Sequence, residues 1–128
     1  MAEQEKITIN MGVVDLGQID LLVDEGFYAS RTDFIRNAIR AQLEAHKSDI
    51  RQTMTRRAFG IGILTYSRKD LENYKAAGTI LDAKIVGMLY ISDDVTPELA
   101  RATIASIQVF GVLKSSPEVR AALEDRIK

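Results

Sequence analysis

The chain of 128 residues has no cysteine, no tryptophan, two prolines and one histidine, and each scarcity removes a class of function. Without cysteine there are no disulfides and no thiolate metal sites, which fits a reducing compartment. The sole imidazole, His46, has no cysteine or second histidine to join it, so it reads as a solvated or hinge residue and not as a metal ligand. No apolar run approaches the ~18 residues needed to span a bilayer, so no membrane association is expected. The opening MAEQEK is polar and acidic, which argues against a signal peptide and for a cytoplasmic protein. An excess of one charge is missing too: 17 Lys and Arg stand against 18 Asp and Glu, net −1. Any binding to a polyanion must then come from local placement of a few groups. Gly60, Gly62, Gly87 and Gly111 form neither a GxGxxG nor a P-loop pattern. No nucleophile stands beside a base. Neither enzymatic activity nor a cofactor is expected.

What is present is an ordinary globular composition, 46% hydrophobic and 27% charged. It opens with KITINM, residues 6 to 11, in which polar and apolar side chains strictly alternate. That period of two predicts a half-buried strand, with Ile7, Ile9 and Met11 on one face and Lys6, Thr8 and Asn10 on the other. Residues 13 to 25 then carry Leu16, Ile19, Leu22 and Val23 at helical spacing, and Gly26 ends that helix. Ser30-Arg31-Thr32-Asp33 has the form of a capping box before a second helix with an apolar stripe of Phe34, Ile35, Ala38, Ile39 and Leu43. Ile50 and Met54 extend the stripe, either in one long helix or in a helix broken near His46 and Lys47.

A strand and two helices cannot bury an adequate core alone, and a lone strand exposes a row of unpaired backbone groups. Both difficulties vanish if two copies pair their strands into an antiparallel ribbon over shared helices. Such a ribbon fits the DNA major groove, where lysine reads guanine, asparagine reads adenine and threonine offers a hydroxyl and a methyl. The plain alternative is that Lys6, Thr8 and Asn10 form only the solvated face of a dimer strand.

The strand KITINM, the Gly26 turn and S-R-T-D-F-I-R (Ser30 to Arg36) resemble the ribbon-helix-helix fold of CopG, Arc and MetJ-type DNA-binding regulators, over roughly residues 5 to 46. The resemblance implies an obligate homodimer on double-stranded DNA. Its ribbon would read bases with Lys6, Thr8 and Asn10. Ser30, Arg31 and Thr32 would anchor phosphate at the start of the second helix, where free N–H groups and the helix dipole favour an anion. The histidine-rich metal sites of nickel-responsive members have no counterpart here, so nickel sensing is not expected. Residues 1 to 57 hold nine Asp and Glu against eight Lys and Arg, so non-specific affinity should be weak and tight binding should need cooperative dimers.

The remainder carries a repeat. GILTYS (62 to 67), GMLYIS (87 to 92) and GVLKSS (111 to 116) share a glycine, a leucine two positions on and a serine three beyond that. An apolar stretch precedes each, and a helix start follows each: Ser67, Thr96-Pro97 and Ser116-Pro117. The pattern predicts three β-α units side by side, with a ferredoxin-like packing as the competing arrangement. Asp93 and Asp94 read as helix-capping acids before Thr96 and not as a cation site.

The expected fold class is α+β. A ribbon-helix-helix domain at 1–46 and a helical linker at 47–57 precede a small α/β domain of three repeats at 58–128. That last domain is expected to drive higher homo-oligomers, or to receive a signal or partner, in a repressor associated with a prokaryotic nucleoid. The alternative is an antitoxin whose second half masks a toxin; a scaffold protein that uses the ribbon only to dimerise is a third reading.

Overall fold

The computed structural model describes residues 4–128. Three helices come first: α1 (Val13–Asp24), α2 (Arg31–Ala45) and α3 (Lys47–Arg57). Strand and helix then alternate as β1 (Gly60–Tyr66), α4 (Arg68–Ala76), β2 (Leu81–Ile91), α5 (Pro97–Thr103), β3 (Ile104–Lys114) and α6 (Pro117–Ala122), ending in a 3-10 turn at Glu124–Arg126. The chain divides into two units, Met1–Ile50 and Arg51–Lys128, with the division inside α3. No helix among the described residues is long and apolar enough to cross a membrane.

In the first unit α1 packs on α2, yet Ile19 is the one apolar side chain that becomes fully buried among the described residues. Ile7 is 77% exposed, Phe27 71%, and Ile39 and Leu43 about half. The stripe of α2 is therefore covered only in part: Phe34 and Ile35 are half-buried, whereas Ala38, Ile39 and Leu43 are exposed. Helix α1 ends as expected: Gly26 sits at φ 84, its N–H donates to the Val23 carbonyl and the Phe27 N–H donates to the Leu22 carbonyl. That is a Schellman turn, which a glycine enters without a Cβ clash. His46 separates α2 from α3, and its Nδ1 lies 3.0 Å from Asp49 Oδ2. Of the two alternatives left open by the sequence, the helix broken near His46 and Lys47 is the one observed.

In the second unit the three strands form one parallel sheet in the order β1-β2-β3. Helix α4 packs on α5 and α5 on α6, so the helices make a single layer. Side chains of alternate strand positions meet them: Ala83, Ile85, Leu89 and Ile91 from β2 and Ile107 from β3 are buried with Leu71, Leu99 and Val119 of the helices. Ser67, Thr96 and Ser116 each cap the following helix, their hydroxyls accepting the N–H groups of Asp70, Leu99 and Val119. Pro97 and Pro117 occupy the first helical position, as the sequence indicated. Parallel pairing excludes the ferredoxin-like arrangement, whose strands alternate in direction.

The repeated glycines have a physical cause. Gly62 pairs with Gly87 and Gly87 with Gly111, so the three form one row across the sheet. Their φ values are 127, 134 and 124, an extended region open to glycine and essentially closed to other residues. A Cβ on Gly87 would drive into the carbonyl oxygen of Gly62, and one on Gly111 into that of Gly87.

The end of the chain seals part of one sheet edge. Ile127 bridges to Ile107 in parallel, and the Lys128 N–H donates to the Ile107 carbonyl at 2.8 Å. Arg126 donates to the carbonyls of Ile104 and Arg101, while Arg101 donates to Asp125 and to the Ala122 carbonyl.

Candidate nucleic-acid interface

Residues 4 to 12 lie outside any strand or helix of the single chain, so the expected strand has no partner within its own subunit. Lys6, Thr8 and Asn10 are exposed, as are Ile7 and Ile9, whereas Met11 is half-buried. The two sets still alternate. A strand exists only where a second strand completes its ladder. Ile7 and Ile9, expected to face the helices once two chains pair, are exposed in the single chain.

The second group of residues is assembled by a capped turn. Ser30 N-caps α2, its Oγ accepting the Asp33 N–H at 3.0 Å. The Asp33 carboxylate reaches back, but to the Ala29 N–H at 3.0 Å, one residue earlier than a strict capping box would have it. Tyr28 and Phe34 pack edge to face across the turn, centroids 4.9 Å apart. The amides of Arg31 and Thr32, at the first two helical positions, have no intrahelical acceptor by construction and face the positive end of the helix dipole. Ser30, Arg31 and Thr32 are therefore brought together, all exposed.

Arg31 is not idle. Its Nε donates to Asp20 Oδ1 at 2.7 Å and its Nη2 to Asp20 Oδ2 at 2.8 Å, a forked pair joining α1 to α2. Hydrogen bonding from Arg31, with its positive charge adding to the effect, holds the Asp20 carboxyl below the ordinary carboxylate range; the same pairing raises Arg31. Sequence reasoning missed Asp20. Eleven residues and a turn separate the partners, and only the packing angle of the two helices makes them neighbours.

Elsewhere the chemistry stays bland. Among the described residues there is no group of three or more His, Cys, Asp or Glu that could hold a metal. Asp94 does not cap the helix after Thr96, as the sequence suggested; its Oδ1 accepts the Arg68 N–H at 3.3 Å, at the start of α4, and Thr96 caps α5 itself.

An exposed alternating segment thus precedes a Ser30-capped helix start and two helices whose apolar stripe is only partly covered. Comparison gives the family: residues 2–120 match the ribbon-helix-helix transcriptional regulator family, and the chain belongs to that family. Membership implies DNA binding and dimerisation. The match extends well past residue 46, so the β-α units are part of the family pattern and not an unrelated appendage. Comparison with curated proteins and with solved structures gives no match.

Proposed function

We propose that the chain is a sequence-specific repressor that reads the major groove with a two-stranded antiparallel ribbon built from residues 6 to 11 of two copies. The observation that carries this reading is the pairing of an exposed, alternating segment with a helical unit that buries Ile19 and little else. A second copy would complete the ladder and cover Ile39 and Leu43 together. Lys6, Thr8 and Asn10 would then present base-reading donors and acceptors. Ser30, Arg31 and Thr32 would hold phosphate oxygens at the start of α2. With so few positive groups, the salt dependence of binding should reflect only a few phosphates per dimer.

The β-α unit would associate between chains and join DNA-bound dimers into a tetramer or larger assembly on a prokaryotic nucleoid. Its packed core of helices on a sheet supports this regulator reading over the antitoxin one, because a toxin-masking tail generally orders only on its target.

Selection of bound duplexes from random DNA, followed by shift assays, tests the proposal. Lys6→Ala should relax preference at one position per half-site, by about 1–3 kcal/mol. Thr32→Ala should weaken all sequences more evenly. Unselective recovery of duplexes, or alanine at positions 6, 8 and 10 without effect on binding, would leave the ribbon as a dimerisation device only.

A further inference from the structure

The two edges of the parallel sheet differ. On β3 the outer edge is occupied by its own chain. Ile127 bridges to Ile107, the Lys128 N–H donates to the Ile107 carbonyl at 2.8 Å, and Arg120 Nη1 donates to the Leu113 carbonyl at 3.2 Å. On β1 the outer edge meets no strand among the described residues. The Gly62 carbonyl fills the place of a Cβ on Gly87, and the Tyr66 carbonyl accepts the Ser92 N–H at 2.9 Å. The even positions of β1 thus turn their backbone groups towards β2. In a parallel ladder alternate residues bond to one side, so the N–H and C=O groups of Ile61, Ile63 and Thr65 are directed outward. Nothing in β1 guards them: Gly-Ile-Gly-Ile-Leu-Thr-Tyr holds no charge and no proline. Phe59 and Arg57 lean the other way, to Phe110 on β3.

We infer that the outer edge of β1 pairs antiparallel with the same edge of a second copy, joining two three-stranded sheets into one. This contact rests on the proposed association of the β-α unit between chains and names the strand that forms it. Three features select a second copy. First, β1 is its own complement. Ile63 is the midpoint of Gly60–Tyr66 and its backbone groups face out. A two-fold axis normal to the sheet there pairs Ile63 with the Ile63 of the second copy and Ile61 with its Thr65, and keeps both helix layers on one side. Every outward group then finds a counterpart, about six hydrogen bonds at two per facing pair. Second, the side chains fit. The same register sets Gly62 opposite Leu64 and Gly60 opposite Tyr66, small against large, at the pairs whose Cα atoms approach to about 4.5 Å. No like charges meet at the axis. Third, Gly62 has the conformation, φ 127, that at Gly87 and Gly111 makes room for a neighbouring carbonyl. A Cβ on Gly111 would point to β2 and one on Gly87 to β1, so one on Gly62 would point to the open edge, where no atom of the described residues lies within 4 Å. A seven-residue strand is a small contact, weak alone and strong when a tether holds two copies at roughly millimolar effective concentration, as chains joined through their amino-terminal units would be.

The absence of cysteine makes the test direct, because any cysteine introduced into the full-length chain is the sole thiol. Ile63→Cys sets two thiols across the axis with Cα atoms about 5.5 Å apart, within disulfide reach. Ile61→Cys sets them four residues apart along the ladder, roughly 13 Å and out of reach. Both positions are exposed, 54% and 67%. Under mild oxidation Ile63→Cys is expected to give a disulfide dimer in at least about tenfold greater yield than Ile61→Cys. Ile61→Cys chains produced together with Thr65→Cys chains should join to each other. Ile63→Lys, added to both of those chains, should abolish that mixed product while DNA binding persists, because two like charges then meet at the axis. Equal yields from Ile63→Cys and Ile61→Cys, or none from either, in a chain that dimerises and binds DNA would overturn this contact and leave the reader intact. The expected disulfide pattern in a chain that binds no DNA would uphold the contact and overturn the reader. Neither pattern nor DNA binding would overturn both.

Discussion

The guanidinium of Arg31 grips the carboxylate of Asp20 in a two-pronged bridge, 2.7 and 2.8 Å, at the place proposed to receive a DNA phosphate. A phosphate must either share that arginine or displace the aspartate, and an Asp20 carboxylate beside DNA is repulsive in any case. Asp20→Asn should therefore tighten binding to all duplexes, by a factor of about ten for a charge-assisted contact released. Shift assays on Asp20→Asn, Arg31→Ala and the double variant check this. If the gain persists when Arg31 is alanine, it comes from lost repulsion and not from a freed guanidinium.

Ala58 is the described non-glycine residue with positive φ, 57, where the chain leaves α3. Its N–H donates to the Thr55 carbonyl and the Phe59 N–H donates to the Met54 carbonyl, another Schellman turn with alanine where glycine belongs. A left-handed alanine costs about 1 kcal/mol. Ala58→Gly is expected to raise stability by a similar amount, offset in part by the greater freedom of glycine in the unfolded chain. Urea unfolding reads the difference directly.

The glycine row separates two kinds of strain. Gly87→Ala and Gly111→Ala force a methyl into a neighbouring backbone carbonyl, so each should destabilise by more than about 4 kcal/mol or prevent folding of the sheet. Gly62 shares the backbone conformation but has open space beside it. Gly62→Ala should cost only the conformational strain, about 1–3 kcal/mol. Thermal unfolding of the three variants should rank Gly62→Ala as the mildest.

Acid should loosen the start of α4. Hydrogen bonds from the Ser67 amide and hydroxyl hold the Asp70 carboxyl below its ordinary value. A depressed folded-state value means the contribution is fully present above the unfolded-state value and is lost as pH falls through the folded one. The stability difference between the natural chain and Asp70→Asn should therefore be level around neutrality and shrink only in the acid range. A difference that grew on acidification would contradict the capping role.

Much of this was legible because local rules carried it. The helix starts at Ser30, Ser67, Thr96 and Ser116 and the stop at Gly26 follow from caps that a few adjacent residues determine. The glycines at 62, 87 and 111 announced a repeat, but their reason lay between strands: each makes room for the carbonyl of the one before, which no single segment discloses. Asp94 was assigned to the nearer helix by sequence and belongs to the one 26 residues away. Asp20 was invisible for the same cause. The polar identity of Lys6, Thr8 and Asn10 was plain, whereas the strand that would display them needs a ladder from another molecule.

Ile19 stands nearly alone in the interior of its unit among the described residues, and for the proposed dimeric reader this would make assembly a matter of dose. Where a second subunit supplies the missing interior, the melting point of that part should climb with chain concentration, while the sheet part, with its own packed centre, should keep a fixed one. A cell holding few copies would then have an intact carboxyl-terminal half and an unformed amino-terminal one, so the response of its promoter would steepen with supply before any ligand or modification intervened.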